Sequence, residues 1–218
     1  MNLILFGQPG AGKGTQANFI CNEFKLIQIS TGDLLRHEIK KKTDLGKKIE
    51  KIINKGFLVS DGIVGNLVGN IISNPKNSNK LVFDGYPRKM SQVENLSYLM
   101  EKYKQKISVV ISLNIKKDII KKRIKGRLFC STCKKTFNKF YNPPTPENHI
   151  CKNPSIIKRT DDNLKTIFER IDTYLKKTKP VINYYEKNSN FHNIDGNDDI
   201  NEISNKIRII LSNISNWL

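Results

Sequence analysis

Residues 7–15 carry the most explicit chemistry in the chain: Gly7-Gln8-Pro9-Gly10-Ala11-Gly12-Lys13-Gly14-Thr15. Glycines at this density let the backbone curl until successive N–H groups face inward, toward an anion seated before the helix that follows. The spacing is the G-x-x-x-x-G-K core of a phosphate-binding loop, and Lys13 adds a point charge for the terminal phosphates of a polyphosphate. An apolar run before the loop and a helical period after it supply the strand–loop–helix setting that the motif needs, which a plain glycine-rich turn would not have. Gly14 stands where the motif usually carries the Ser or Thr that coordinates Mg²⁺, with Thr15 one place later. Magnesium must then be held through water and a carboxylate elsewhere. Asp84, closing the apolar segment LVFDG, is the candidate for that carboxylate.

A second cluster of chemistry-bearing residues is Cys130-Ser131-Thr132-Cys133 followed by Cys151. A C-x-x-C pair in a chain of this length points to metal rather than to a disulfide scaffold. Three thiols are incomplete for structural zinc, and Pro154, three residues after Cys151, cannot ligate. His149 could supply a fourth ligand. Two readings stand side by side: a structural Zn²⁺ site, or a metal-free loop with residual thiols. Cys21 falls on the apolar face of a helix and reads as core.

The cations divide by type. Of 38 basic residues, set against 20 acidic ones for a net charge of +18, 31 are Lys and seven are Arg, at 36, 88, 123, 127, 159, 170 and 208. The lysines are spread along the whole chain, as a solvated surface would have them. A chain so biased to Lys reserves Arg for sites that need a planar fork of donors, such as bidentate contacts to phosphate.

Alternating elements must position these groups. Short apolar runs at 2–6, 26–29, 80–83, 108–113 and 191–194 read as strands, the first of them a buried parallel strand. Helical periods cover 13–24, about 31–41, 45–55, 61–73, about 89–103, 116–125 and 200–211. A long helix is expected from about 162 to 185, bent or broken near Pro180. Between 126 and 162 the period is lost to aromatics, prolines and cysteines, so an inserted small module is expected there. Strand–helix alternation over 218 residues predicts one α/β domain with helices on both sheet faces. No run approaches a membrane span and no leader pattern precedes the first strand, so a cytoplasmic protein without membrane partners is expected.

Taken together, GQPGAGKGT, ISTGDLLR, Phe57 to Val59, FDGYPR with Gln92, KGR, and RTDD followed by Arg170 resemble the adenylate kinases, in their long form with an inserted lid. The resemblance covers essentially the whole chain. It implies a P-loop fold on a five-stranded parallel sheet flanked by helices, and the reversible, Mg²⁺-dependent reaction ATP + AMP = 2 ADP. It implies a core of 1–29, 60–125 and 163–218, an AMP-binding helical insert at 30–59 and a lid at 126–162. By the same resemblance, ATP meets Gly10, Ala11, Gly12, Lys13, Gly14, Thr15, Arg123, Arg127, Thr136, Phe137 and Asp198. AMP meets Thr31, Arg36, Phe57, Leu58, Val59, Gly85, Tyr86, Arg88, Gln92, Arg159 and Arg170, with Gln92 reading the adenine edge. Lys13, Arg88, Arg123, Arg159 and Arg170 are the implied catalytic cations, and a monomer is the implied state. Six of the seven arginines fall on positions that the family turns toward phosphate. Zinc-bearing lids of the family carry two C-x-x-C knuckles, from which Pro154 departs.

Two other readings are weighed. One is a different nucleoside monophosphate kinase of this fold, with GTP as donor or UMP/CMP as acceptor; Thr31 and Gln92 favour AMP. The other is a nucleic-acid-binding protein with a zinc-knuckle insert. Against it stands the absence of a basic stripe interleaved with stacking aromatics.

Overall fold

The computed structural model describes residues 1–133, 135–159 and 162–215. Thr160 and Asp161, within the RTDD motif, lie outside the described residues. Five strands, β1 (Asn2–Gly7), β2 (Ile27–Ser30), β3 (Leu81–Asp84), β4 (Ile107–Asn114) and β8 (Phe191–Asp195), form one sheet in the order β2-β3-β1-β4-β8. Every pairing in it is parallel. The central strands β3, β1 and β4 are buried on both faces and read as apolar runs, while the edge strands β2 and β8 are partly exposed. In β1, Ile4 and Phe6 face one core while Leu3 and Leu5 face the other. Val110 and its neighbours Val109 and Ile111 divide the same way in β4.

Helices α1 (Lys13–Phe24), α4 (Asp61–Ile72), α5 (Met90–Lys102), α6 (Lys117–Lys125) and α9 (Ile200–Ser215) cover the two faces. Helices α2 (Thr31–Lys40) and α3 (Asp44–Asn54) pack on each other after β2. Ser30 and Thr43 cap them, their hydroxyls accepting from Asp33 N–H and Gly46 N–H. The segment without helical period is a second, antiparallel sheet of β5 (Arg127–Cys130), β6 (Thr136–Asn138) and β7 (Ile156–Ile157), ordered β6-β5-β7.

The helix expected from 162 to 185 is three pieces. Helix α7 (Leu164–Thr173) runs into a π-helical stretch, Tyr174–Thr178, and α8 (Lys179–Asn188) starts with Pro180 in its first turn. Proline has no N–H to give and its ring crowds the carbonyl four residues back, so the wider turn falls just ahead of it. The π turn faces the centre of the molecule: the Thr178 hydroxyl donates to the Arg88 carbonyl at 3.2 Å. No helix among the described residues is long and apolar enough to cross a membrane.

Candidate active site

Parallel strands end together, and the residues just past their carboxyl ends converge. Ser30 and Leu5 each pair with Asp84 across neighbouring strands, which puts the end of β2 and the loop after β1 beside that carboxylate. The loop turns on left-handed residues: Gly10 has φ +84° and Gly12 φ +94°. A Cβ on Gly10 would stand 2.9 Å from Ile124 Cγ1 of α6, so only glycine lets the loop lie on that helix. Gly12 caps α1, whose first turn holds no capping side chain and no acidic residue. The orphan N–H groups and positive dipole end of α1 therefore face the cavity.

Lys13 folds over this loop, donating to the carbonyls of Gly7 at 2.6 Å and Gln8 at 3.1 Å. Desolvation by the surrounding walls lowers its pKa to about 7, against the pull of Asp84 and with the push of Arg88, Arg170 and Arg127. Asp84 is half-buried, and its Oδ2 accepts from Gln28 Nε2 at 3.0 Å.

In front of the loop lies a cavity of about 230 Å³, lined by Gly10 to Gln16, Asp84, Thr136, Phe137 and six arginines: 36, 88, 123, 127, 159 and 170. The seventh, Arg208, is elsewhere, paired with Glu23 at 2.8 Å and stacked over Phe19. The division seen in the sequence is thus spatial. A second cavity of about 80 Å³ adjoins the first, walled by Thr31, Leu35, Phe57, Leu58, Val59 and Val64, with Gln92 buried in its wall. Arg36, Arg88 and Arg170 line both cavities.

Each arginine is held by an identifiable contact. Arg36 meets Asp33 at 2.6 Å. Arg88 turns back so that its Nε donates to the Gly85 carbonyl at 2.7 Å, and Gly85, at φ +76°, is kept free of a Cβ that would stand 2.5 Å from Arg88 Nη2. Thr31 donates to the same carbonyl at 2.8 Å. Arg123 lies over the Tyr141 ring at 5.6 Å and Arg159 over the Phe129 ring at 5.3 Å. Arg127 grips Asp162 with two bonds, Nε to Oδ2 at 2.8 Å and Nη2 to Oδ1 at 2.5 Å. Arg170 Nη1 stands 3.9 Å from the same carboxylate.

Three expected site residues are placed differently, and one of them, Arg159, expected at AMP, lines only the larger cavity. The Asp198 carboxylate binds Lys206 at 2.5 Å and does not line the cavity, where Ile200 and Ile203 stand instead. Tyr86 is 1% exposed, packed on Phe83, with its hydroxyl donating to Asn95 Oδ1 at 3.0 Å; its side chain lines neither cavity. Asn138, whose effect on base preference the sequence leaves open, spends its amide on the backbone. Its Nδ2 donates to the Arg123 carbonyl at 2.7 Å and its Oδ1 accepts from Phe140 N–H at 2.9 Å. Asp162 carries no assigned role in the sequence reading, since nothing local shows that it would sit between two arginines.

In the small sheet, the thiols of Cys130, Cys133 and Cys151 and a ring nitrogen of His149 all lie within 4.8 Å of one another. His149 Nε2 is 3.3 Å from Cys133 Sγ, and its ring packs on Phe137. The structure therefore brings His149 to the three thiols. Soft thiolates and an imidazole around one point are a donor set suited to Zn²⁺.

Comparison with known proteins agrees with this geometry. A family model described as adenylate kinase matches residues 5–190. An adenylate kinase of Pelagibacter ubique is 49% identical over 97% of this chain and 99% of its own length. Adenylate kinases of Listeria monocytogenes and Mycoplasma mycoides are 35% and 39% identical, over 97% and 95% of this chain and 99% and 98% of theirs.

Two outcomes are expected from the geometry. Asp162→Asn removes the carboxylate between Arg127 and Arg170, and breaking such a buried pair costs about 3 kcal/mol, a Tm drop of about 6–12 °C. Saturating ATP should recover part of that loss, because phosphate replaces the lost anion; a variant melting within a degree of wild type would rule out the clamp. For Lys13, the free protein at pH 8 holds mostly the neutral amine, and a bound triphosphate raises its pKa. Binding should then take up close to one proton, read by calorimetry in buffers of different ionisation enthalpy, and Lys13→Met should abolish the uptake. No uptake in wild type would contradict the assignment.

Proposed function

The chain belongs to the adenylate kinase family, and from that premise we propose which of its residues carry the transfer of a phosphoryl group between ATP and AMP. The reaction itself, reversible transfer giving two ADP, is that of the family. In our reading ATP occupies the larger cavity, with its phosphates on residues 10–15, and AMP the smaller, with its base toward Gln92. One observation carries this reading: Arg36, Arg88 and Arg170 line both cavities, so a donor and an acceptor phosphate would meet on one shared set of cations.

The physics asks little covalent help of the protein. An acceptor phosphate oxygen is already anionic, so no general base is needed. The residues must align two polyanions, offset their repulsion and exclude water. Lys13, Arg88, Arg123, Arg159 and Arg170 supply the preorganised positive field. Segment 30–59 would close on AMP, and 126–162 would act as the lid over ATP. Arg127 and Arg123 flank the hinge of that lid, at the start of β5 and in the last turn of α6.

Magnesium comes with ATP, where it offsets charge on the phosphates. Asp84, with one oxygen engaged by Gln28 and Gly14 offering no hydroxyl, is the residue that would hold it through water. Zinc is a separate, structural matter: Cys130, Cys133, Cys151 and His149 would hold it within the lid and pin the turn between β5 and β6. All six site arginines come from one chain, which favours a monomer, and nucleotides are the only partners the reading requires.

Purified protein with Mg·ATP should convert AMP in preference to GMP, UMP and CMP. Arg88→Ala should lower kcat by about 10²–10³-fold, the scale for losing one preorganised charge donor; near-wild-type turnover would refute its role. Elemental analysis should find one zinc per chain, and chelation should lower Tm while leaving measurable phosphotransfer, since the site is built apart from the phosphate cradle. His149→Ala should lose zinc as Cys133→Ser does. Retention of full zinc by the His149 variant would remove it from the ligand set.

A further inference from the structure

Gln92 is 3% exposed, and its amide is engaged at both ends. Its Oε1 accepts from the Arg88 backbone N–H at 2.8 Å, and its Nε2 donates to Asp61 Oδ1 at 2.8 Å. Neither partner can exchange roles: a backbone N–H only donates, and an ionised carboxylate only accepts. The chemistry of the two partners therefore fixes which end of the amide is oxygen and which is nitrogen.

Asp61 is itself held in place. It opens α4, in the first turn where the helix dipole favours an anion. Its Oδ2 accepts from the Ser91 hydroxyl at 2.8 Å, and Lys89 Nζ lies 3.0 Å from Oδ1. Burial works to raise the pKa of its carboxyl, but the hydrogen bonds from Lys89, Ser91 and Gln92 outweigh that and hold it below the usual carboxylate range.

We propose that Asp61 is the positioning residue for acceptor-base specificity: by fixing the Gln92 amide it makes the smaller cavity accept adenine and refuse guanine. The proposal rests on the reading of that cavity as the AMP site. Each end of the amide keeps one valence, a second N–H on Nε2 and a second lone pair on Oε1. Adenine offers an amino donor beside a ring-nitrogen acceptor, which is the complement of that pair. Guanine places its O6 acceptor where adenine has the donor, so a fixed Oε1 would face O6 with no proton between them. An amide free to turn over could present Nε2 to O6 and bind guanine. Asp61, 31 positions away in the chain, removes that freedom together with the Arg88 N–H. A site whose buried polar groups are left unmatched rejects a ligand far more strongly than one that merely fits it loosely.

The test is steady-state kinetics with AMP and with GMP at saturating Mg·ATP, for wild type, Asp61→Leu and Asp61→Asn. Asparagine keeps an oxygen for Gln92 Nε2 and can donate to the Ser91 hydroxyl from its nitrogen, so both anchors of the amide stay; leucine removes one and leaves the Arg88 N–H as the other. In Asp61→Leu the KM for AMP should rise and the KM for GMP should fall, lowering the AMP-over-GMP ratio of kcat/KM by tenfold or more. Asp61→Asn should keep the wild-type ratio. The position is 37% exposed, and Asp61→Ala gives the same reading should the leucine variant not fold. A loss of helix support alone would raise both KM values together and leave the ratio unmoved, which would overturn the proposal. So would equal ratios in the Leu and Asn variants. A wild-type protein that does not prefer AMP over GMP would overturn the AMP-site reading and this proposal with it.

Discussion

Seven cations around one cavity repel one another, and the rest of the site is arranged to contain that repulsion. Two unit charges about 6 Å apart at an effective dielectric near 20 repel by roughly 3 kcal/mol, so Lys13 and six arginines cannot simply be gathered together. Every one of them is held by a contact of its own. Asp162 stands between Arg127 and Arg170, and Asp33 beside Arg36. Arg123 and Arg159 lie over aromatic rings, while Arg88 and Lys13 bind backbone carbonyls. Such contacts can be exchanged for phosphate oxygens without leaving a buried partner stranded. A carbonyl or a ring loses little when its cation turns away, and a carboxylate shared by two arginines can keep one as the other moves.

The fold explains how so many cations reach one place. Five parallel strands end on the same side, and the phosphate loop, Asp84 and the Ser30 cap all lie just past those ends. Arg88 follows the β3 end, and Arg123 and Arg127 bracket the junction between the main sheet and the small one. Arg170 stands in the last turn of α7, ahead of the π-helical turn that binds the Arg88 carbonyl through Thr178. The wider turn before Pro180 thus braces the backbone of a site residue as well as following from the proline.

What was legible in the sequence follows from how local each signal is. The phosphate loop, the strand–helix order and the selective use of Arg can be read from a few consecutive residues or from composition alone. The clamp of Arg127 by Asp162 spans 35 residues, and the tie between Asp61 and Gln92 spans 31. No local pattern announces either pair; each exists only once the small sheet or the α4–α5 packing is formed. His149 is a similar case, since two residues of separation from Cys151 say nothing about whether its ring turns toward the thiols. Asp198 and Tyr86 went the other way. Family position alone put them in the site, while their side chains in this chain are spent on Lys206 and on the core.

Lys13 also explains why the other six cations are arginines in a chain that otherwise uses lysine. Burial among like charges lowers the Lys13 pKa to about 7, so an amine in this cavity is only partly charged near neutral pH. Arg123 in the same surroundings is lowered too, by burial first, but a guanidinium starts so far above neutrality that it keeps its charge. Six lysines in place of the arginines would each be pushed toward the neutral form by desolvation and by one another, and the field would weaken just where it is needed. Among the described residues lining the cavity, lysine is found only at the loop after β1, where two carbonyls accept from the amine. The strong surface bias to Lys stops at the cavity wall because the physics of burial changes there, and that boundary is what made the site visible before any fold was known.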